Sequence, residues 1–239
     1  MSECNPNPRL PADAGPHSSR SSWGRSTGRP IIFYDQLGCG RSDAPAAEEA
    51  EYSVAASVRD LRSVLARLEI NRYHLYGQSW GGLLAVEHVS TLSDGAAPLT
   101  LTISNTPSSV QLVEAEAGRL VEACGGDVAA FMQAHNCRLD PQPARLAEAY
   151  AHAGTIWRGS GAIAGLEADP AALARVRCPA LCLRGEHDFV TEACVEGWQA
   201  LPDVRFVTLE GCAHHALLEQ PAQYLRALTG FLDEHDRLE

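Results

Sequence analysis

The sequence predicts an α/β fold: a mostly parallel sheet flanked by helices, with a small helical cap inserted between its two halves. Three observations point there. From residue 30 onward, short apolar runs alternate with stretches whose apolar residues recur every three or four positions, the pattern of strands joined by helices. The string Gly77-Gln78-Ser79-Trp80-Gly81-Gly82 stands between an apolar run, Tyr73-His74-Leu75-Tyr76, and a helix-compatible run from Leu83 to Val89. An acid and a histidine then follow in chain order, each just past a further predicted strand, which is the Ser, Asp, His order of one class of serine hydrolases.

Taken in order, residues 1–27 carry Pro6, Pro8, Pro11 and Pro16, a Ser18-Ser19-Arg20-Ser21-Ser22 cluster and no apolar run, and read as an irregular or disordered leader. The first core segment, 28–104, opens with a predicted strand, Ile31-Ile32-Phe33-Tyr34. Ser53 is placed to cap a helix in which Val54, Val58, Leu61, Leu65 and Leu68 form a stripe toward the sheet. A strand at 73–76 leads into the serine turn and its helix, and Pro98-Leu99-Thr100-Leu101-Thr102-Ile103 is the next strand. Residues 105–170 are Ala-rich and helical, with breaks at Gly125-Gly126, Pro141, Pro143 and Gly159 to Gly161, and read as the cap. The second core segment, 171–239, holds strands at 179–183 and 204–209 and a terminal helix carrying Leu217, Leu218, Tyr224, Leu225, Leu228 and Phe231.

The chemistry follows from this layout. Ser79, on a tight strand-to-helix turn between glycines, has the exposed and strained setting of a nucleophile. Asp188 lies in the loop after the 179–183 strand, with Glu186 and His187 as neighbouring candidates, and His214 lies in the loop after the 204–209 strand, with His215 competing. In such a set the histidine takes the serine proton, the aspartate orients the imidazole, and the Trp80 N–H faces the oxyanion. Acyl transfer of this kind uses no cofactor. His74, His88, His135 and His152 show no converging carboxylates, which argues against a metal site.

With 239 residues, 45% of them hydrophobic, the chain can bury one sizeable core and a small subdomain. A net charge of -11 and the lack of a basic stripe exclude a nucleic-acid surface. No run of some eighteen apolar residues marks a membrane span and the amino terminus lacks a signal-peptide layout, so the expected location is cytoplasmic. The eight cysteines are scattered and read as small buried hydrophobes rather than disulfides. The oligomeric state is left open.

Asp35-Gln36-Leu37-Gly38-Cys39-Gly40-Arg41-Ser42, the serine string with its tryptophan, Cys137-Arg138-Leu139-Asp140-Pro141, and His214 followed by Glu219 and Pro221 together resemble the proline iminopeptidase group of the α/β-hydrolase fold, over roughly residues 28–236. The resemblance implies a serine aminopeptidase or amidase that frees an N-terminal residue, often proline, from a small peptide or amino-acid amide. The five-residue spacing from His214 to Glu219 then favours His214 over His215. It also implies cap glutamates that bind the substrate ammonium, for which Glu114, Glu116 and Glu167 are candidates; the Arg158-Gly159-Ser160-Gly161-Ala162 stretch beside Trp157 offers no carboxylate.

The chain departs from that group at its start. Members carry early strands and a His-Gly-Gly-Pro-Gly type loop that supplies half of the oxyanion hole, and this sequence contains no such string. The sequence therefore suggests an altered or truncated gene product, with a gap between the 31–34 and 73–76 strands that leaves them to pair directly or the amino-terminal half poorly ordered. Loss of one oxyanion donor costs about 10²–10³ in rate. An inactive remnant and an esterase or lactonase of the same fold are the two alternatives to a working aminopeptidase.

Overall fold

In a computed structural model, the described residues are 28–92, 97–151 and 163–236. The 1–27 leader, His152 and the stretch from Trp157 to Ala162 lie outside them.

Four strands form one parallel sheet: β1 (His74–Gln78), β2 (Thr100–Ser104), β3 (Ala180–Gly185) and β4 (Val204–Leu209), side by side in chain order. Because every pairing is parallel, all four carboxyl ends open on the same edge of the sheet. The two inner strands, Thr-Leu-Thr-Ile-Ser and Ala-Leu-Cys-Leu-Arg-Gly, are buried along almost their whole length, as expected where both faces are covered.

Side chains alternate between those faces. Leu101, Ile103, Ala180 and Cys182 join Leu83 and Val86 of α2 (Trp80–Ser90) and Trp198 in one core. Leu181, Leu183 and Leu209 point the other way, against Tyr224, Leu228 and Phe231 of the terminal helix. Each fully buried leucine contributes about 1.5–3 kcal/mol. Sandwiching by helices therefore fixes the register of β2 and β3, and with it the loops at their ends.

The helix α1 (Val54–Arg67) begins as predicted, with the Ser53 side chain accepting from the Ala56 N–H. Its buried face is Ala56, Val58, Leu61 and Val64; the stripe differs at its far end, where Leu68 caps the helix and is 38% exposed. Between β2 and β3 come α3 (Val110–Ala123), α4 (Val128–Phe131) running into a π-type turn (Met132–Asn136), α5 (Ala144–Ala151) and α6 (Pro170–Leu173). After β3 come α7 (Glu192–Val195) and a 3₁₀ turn (Glu196–Ala200).

Two expectations are corrected. The terminal helix is two helices, α8 (Ala216–Glu219) and α9 (Pro221–His235), because Pro221 has no N–H to continue the first and instead opens the second. The predicted strand at 31–34 is not one: no described strand pairs with it, Ile32 is 50% exposed and Phe33 72%. A strand needs a hydrogen-bonded neighbour, and among the described residues β1 pairs only with β2. The segment is tethered at its flanks instead. Arg29 pairs with Asp233 and Asp236, and the Trp80 indole N–H donates to Gln36 Oε1 at 2.9 Å.

Candidate active site

Ser79, Asn105, Asp188 and His214 all follow carboxyl ends of strands, so the parallel sheet alone gathers them on one edge. Ser79 sits between β1 and α2 with φ 51° and ψ −119°, a left-handed conformation that a serine adopts only under strain. The turn is closed by the Ser79 N–H donating to the Ser104 carbonyl at 2.9 Å. A Cβ at Gly77 would strike the Gly81 backbone and one at Gly82 would strike Thr106, whereas Gly81 itself has open space. The tight approach thus depends on the first and last glycines of the string. Trp80 heads α2, where helix N–H groups point outward from the end. Ser79 is partly exposed, and its Oγ makes no hydrogen bond among the described residues.

The candidate acid and base, Asp188 and His214, are joined directly. His214 Nδ1 lies 2.9 Å from Asp188 Oδ1, with both side chains buried. A carboxylate only accepts, so this bond keeps the proton on Nδ1 and leaves Nε2 as the basic nitrogen. Asp188 Oδ1 also accepts from the Val190 N–H at 2.9 Å, and Oδ2 accepts from Asn105 Nδ2 at 2.7 Å. Phe189 stacks on the His214 ring, centroids 4.3 Å apart and planes 28° off parallel. The Gln78 side chain, one residue before Ser79, donates to the His214 carbonyl at 3.0 Å and ties the base loop to the serine turn.

The neighbouring candidates are occupied elsewhere. His215 Nε2 bonds the Tyr150 hydroxyl at 2.9 Å, and burial, helped by His214 beside it, pushes its pKa down to about 4. Glu186 accepts from the Gly211 N–H, and His187 is within 3.5 Å of Glu186 rather than near His214. Glu219 turns inward: its carboxylate accepts from Ala213 N–H at 3.1 Å and Arg138 N–H at 3.1 Å, holding the base loop to the chain after the π-type turn. That turn completes the surround, its His135 and Asn136 carbonyls accepting from the N–H groups of Phe189, His214 and His215.

The three glutamates expected to meet a substrate amine lie on α3 and beside its capping residue. Glu167 accepts from Ser109 Oγ at 2.6 Å, where Ser109 caps α3. Glu116, half-buried, pairs with Arg119, three residues on, and also bonds the Thr191 side chain. Glu114 is exposed on α3. All three belong to the α3 face and its bridge to residue 167, and none bonds Ser79, Asp188 or His214 among the described residues.

No group of three or more His, Cys, Asp or Glu able to hold a metal occurs among the described residues, although His74, read as lacking a carboxylate, does meet Asp236 at 2.8 Å. No disulfide joins any two of the described cysteines, and burial raises Cys178 to about 11 and Cys182 and Cys212 to about 12. No described helix is long and apolar enough to cross a membrane.

The family model of the alpha/beta hydrolase family matches residues 14–227. The chain belongs to that family. The match begins inside the stretch read as leader, ahead of the residue-28 start expected for the resemblance. This alpha/beta hydrolase is similar to the proline iminopeptidase of Lactobacillus delbrueckii subsp. bulgaricus, 27% identical over 96% of this chain and 90% of that protein. It is also similar to that of Levilactobacillus brevis, 29% identical over 89% and 82%. Among solved structures, Mycobacterium smegmatis proline iminopeptidase superposes with a TM-score of 0.75 at 29% identity, covering 92% of this chain and 86% of that one. The enol-lactonase of Burkholderia xenovorans LB400, at 23% identity and a TM-score of 0.63, shares the fold.

Asn105 was not among the sequence candidates. It ends β2 at φ 50° and is fully buried, and a polar residue directly after Leu-Thr-Ile-Ser is the signal that could have marked it.

Proposed function

We propose that this alpha/beta hydrolase is a serine hydrolase of the proline iminopeptidase type, releasing an N-terminal residue, often proline, from small peptides or amino-acid amides. The observation that carries the reading is the buried His214–Asp188 hydrogen bond on the same sheet edge as the strained Ser79 turn. His214 Nε2 takes the Ser79 proton as Oγ attacks the scissile carbonyl. Asp188 holds the imidazole tautomer and stabilises the imidazolium, while Phe189 fixes the ring plane. The Trp80 N–H faces the developing oxyanion. His214 then protonates the leaving amine, and water attacks the acyl-enzyme by the same route in reverse.

The similarity to three proline iminopeptidases supports the aminopeptidase class. An esterase or lactonase is the second reading, favoured by one observation: Glu116 and Glu167 are already engaged by Arg119 and Ser109. A panel of aminoacyl p-nitroanilides against p-nitrophenyl esters separates them. Turnover of the prolyl anilide above the acyl esters upholds the aminopeptidase; ester turnover with no anilide turnover replaces it with the esterase. Residues 105–170 serve in this proposal as the cap over the site, and a cytoplasmic location goes with it.

A further inference from the structure

The bond from Asn105 to Asp188 is the end of a longer buried chain. Tyr76 and Tyr224 hydroxyls are 2.7 Å apart, Tyr224 O–H donates to Ser104 Oγ at 2.7 Å, and Ser104 O–H donates to Asn105 Oδ1 at 2.7 Å. Asn105 Nδ2 then donates to Asp188 Oδ2 at 2.7 Å, and Asp188 Oδ1 receives His214. Ser104 and Asn105 are 0% exposed and Tyr224 1%. The Tyr76 hydroxyl meets both Tyr224 and Ser104 at the outer end of the row, and from Tyr224 onward every donor points toward the Asp188 carboxylate.

We propose that Asn105 is a positioning residue for the Asp188–His214 pair, and that the Tyr76–Tyr224–Ser104 hydroxyls hold its amide in the donating orientation. A flipped amide would set its carbonyl against the Asp188 carboxylate and its NH₂ against the Ser104 proton, two mismatches at once. Because Tyr224 donates to Ser104 Oγ, the Ser104 proton is directed away from that side and onto Asn105. Donors aligned head to tail polarise one another in a low-dielectric interior. Phenylalanine and alanine would fill the same core without any buried polar group needing a partner, so packing alone does not call for these hydroxyls. Asn105 also keeps a left-handed backbone at the strand end, and such strain collects at functional sites.

The inference rests on the serine hydrolase reading for its consequence, and its test has a readout that needs no activity. The hydrogen-bonded His214 Nδ1–H proton is followed by proton NMR, assigned by its loss in His214→Gln, in the full chain and in a Ser79→Ala background. Asn105→Gly, which tolerates the left-handed backbone, is expected to shift that resonance upfield or lose it to exchange. Ser104→Ala and Tyr224→Phe are expected to shift it the same way by less. Fluorophosphonate labelling of Ser79 should slow about tenfold in Asn105→Gly, the loss of one charge-assisted hydrogen bond, and about two- to fivefold in the others. An unmoved resonance in folded Asn105→Gly, whatever its stability, overturns the proposal. Should Asn105→Gly not fold, Tyr224→Phe, one oxygen smaller, decides it by the same criterion. If the unaltered chain does not label at all, the hydrolase reading fails, while the resonance still tests the positioning.

Discussion

The loops after β3 and β4 and the segment before α1 are built differently. The first hangs from β3, buried along almost its whole length, and the second from the edge strand β4, which is anchored at its end by the buried Leu209; the functional groups of both are fixed by buried bonds: His214 to Asp188, Asp188 to Asn105, Glu219 to two backbone N–H groups. The segment from 28 to 53 has no ladder and leaves Ile32 and Phe33 largely in solvent; it is held by the Trp80–Gln36 bond and by Arg29 on α9. The acid and base therefore inherit the rigidity of the core, while whatever that segment contributes near Ser79 rests on a few side-chain bonds.

The sharpest way to break this contrast is at the pair itself. Asp188→Asn should lower kcat by about 10⁴ through loss of the correct imidazole tautomer, read as anilide or ester turnover. Packing comes next: Leu181→Ala, at a wholly buried position, should cost about 2–5 kcal/mol in urea unfolding, whereas Phe33→Ala should stay within about 0.5 kcal/mol. Equal losses at the two sites would erase the distinction. Glu219→Ala strips acceptors from two N–H groups and should cost about 1–3 kcal/mol in the same measurement. Trp80→Phe removes the bond to Gln36 and should cost about 0.5–1.5 kcal/mol, with proteolysis first appearing before residue 53.

The most gradual effect is with pH. Burial lowers His88 from 6.5 to about 4, and His215 likewise. Between those values the unfolded chain binds protons that the folded chain refuses, so stability is full above pH 6.5 and falls as pH drops toward 4. Thermal unfolding across that window should show the loss, and His88→Asn should flatten part of it.

Much of this was legible in the residues. Strands β1 to β4, the Ser53 cap, and the Ser79, Asp188 and His214 positions could all be read because each depends on local pattern: apolar runs, a capping serine, glycines on a tight turn. The strand at 31–34 misled because its apolar residues satisfy the pattern while pairing is a property of neighbours. The glutamates were harder to read, because a charge on a helix looks the same in sequence whether it faces a ligand or an arginine three residues on, as Glu116 does. Asn105 escaped because its role depends on Asp188, 83 residues later, and on a tyrosine later still.

The central claim is that Ser79 is an activated nucleophile served by His214 and Asp188. Labelling of the purified chain with a fluorophosphonate, with Ser79→Ala and His214→Gln alongside, tests it most directly. The account predicts one label per chain, lost in Ser79→Ala and strongly slowed in His214→Gln. A folded chain that takes no label, or that is labelled equally after Ser79→Ala, would contradict it.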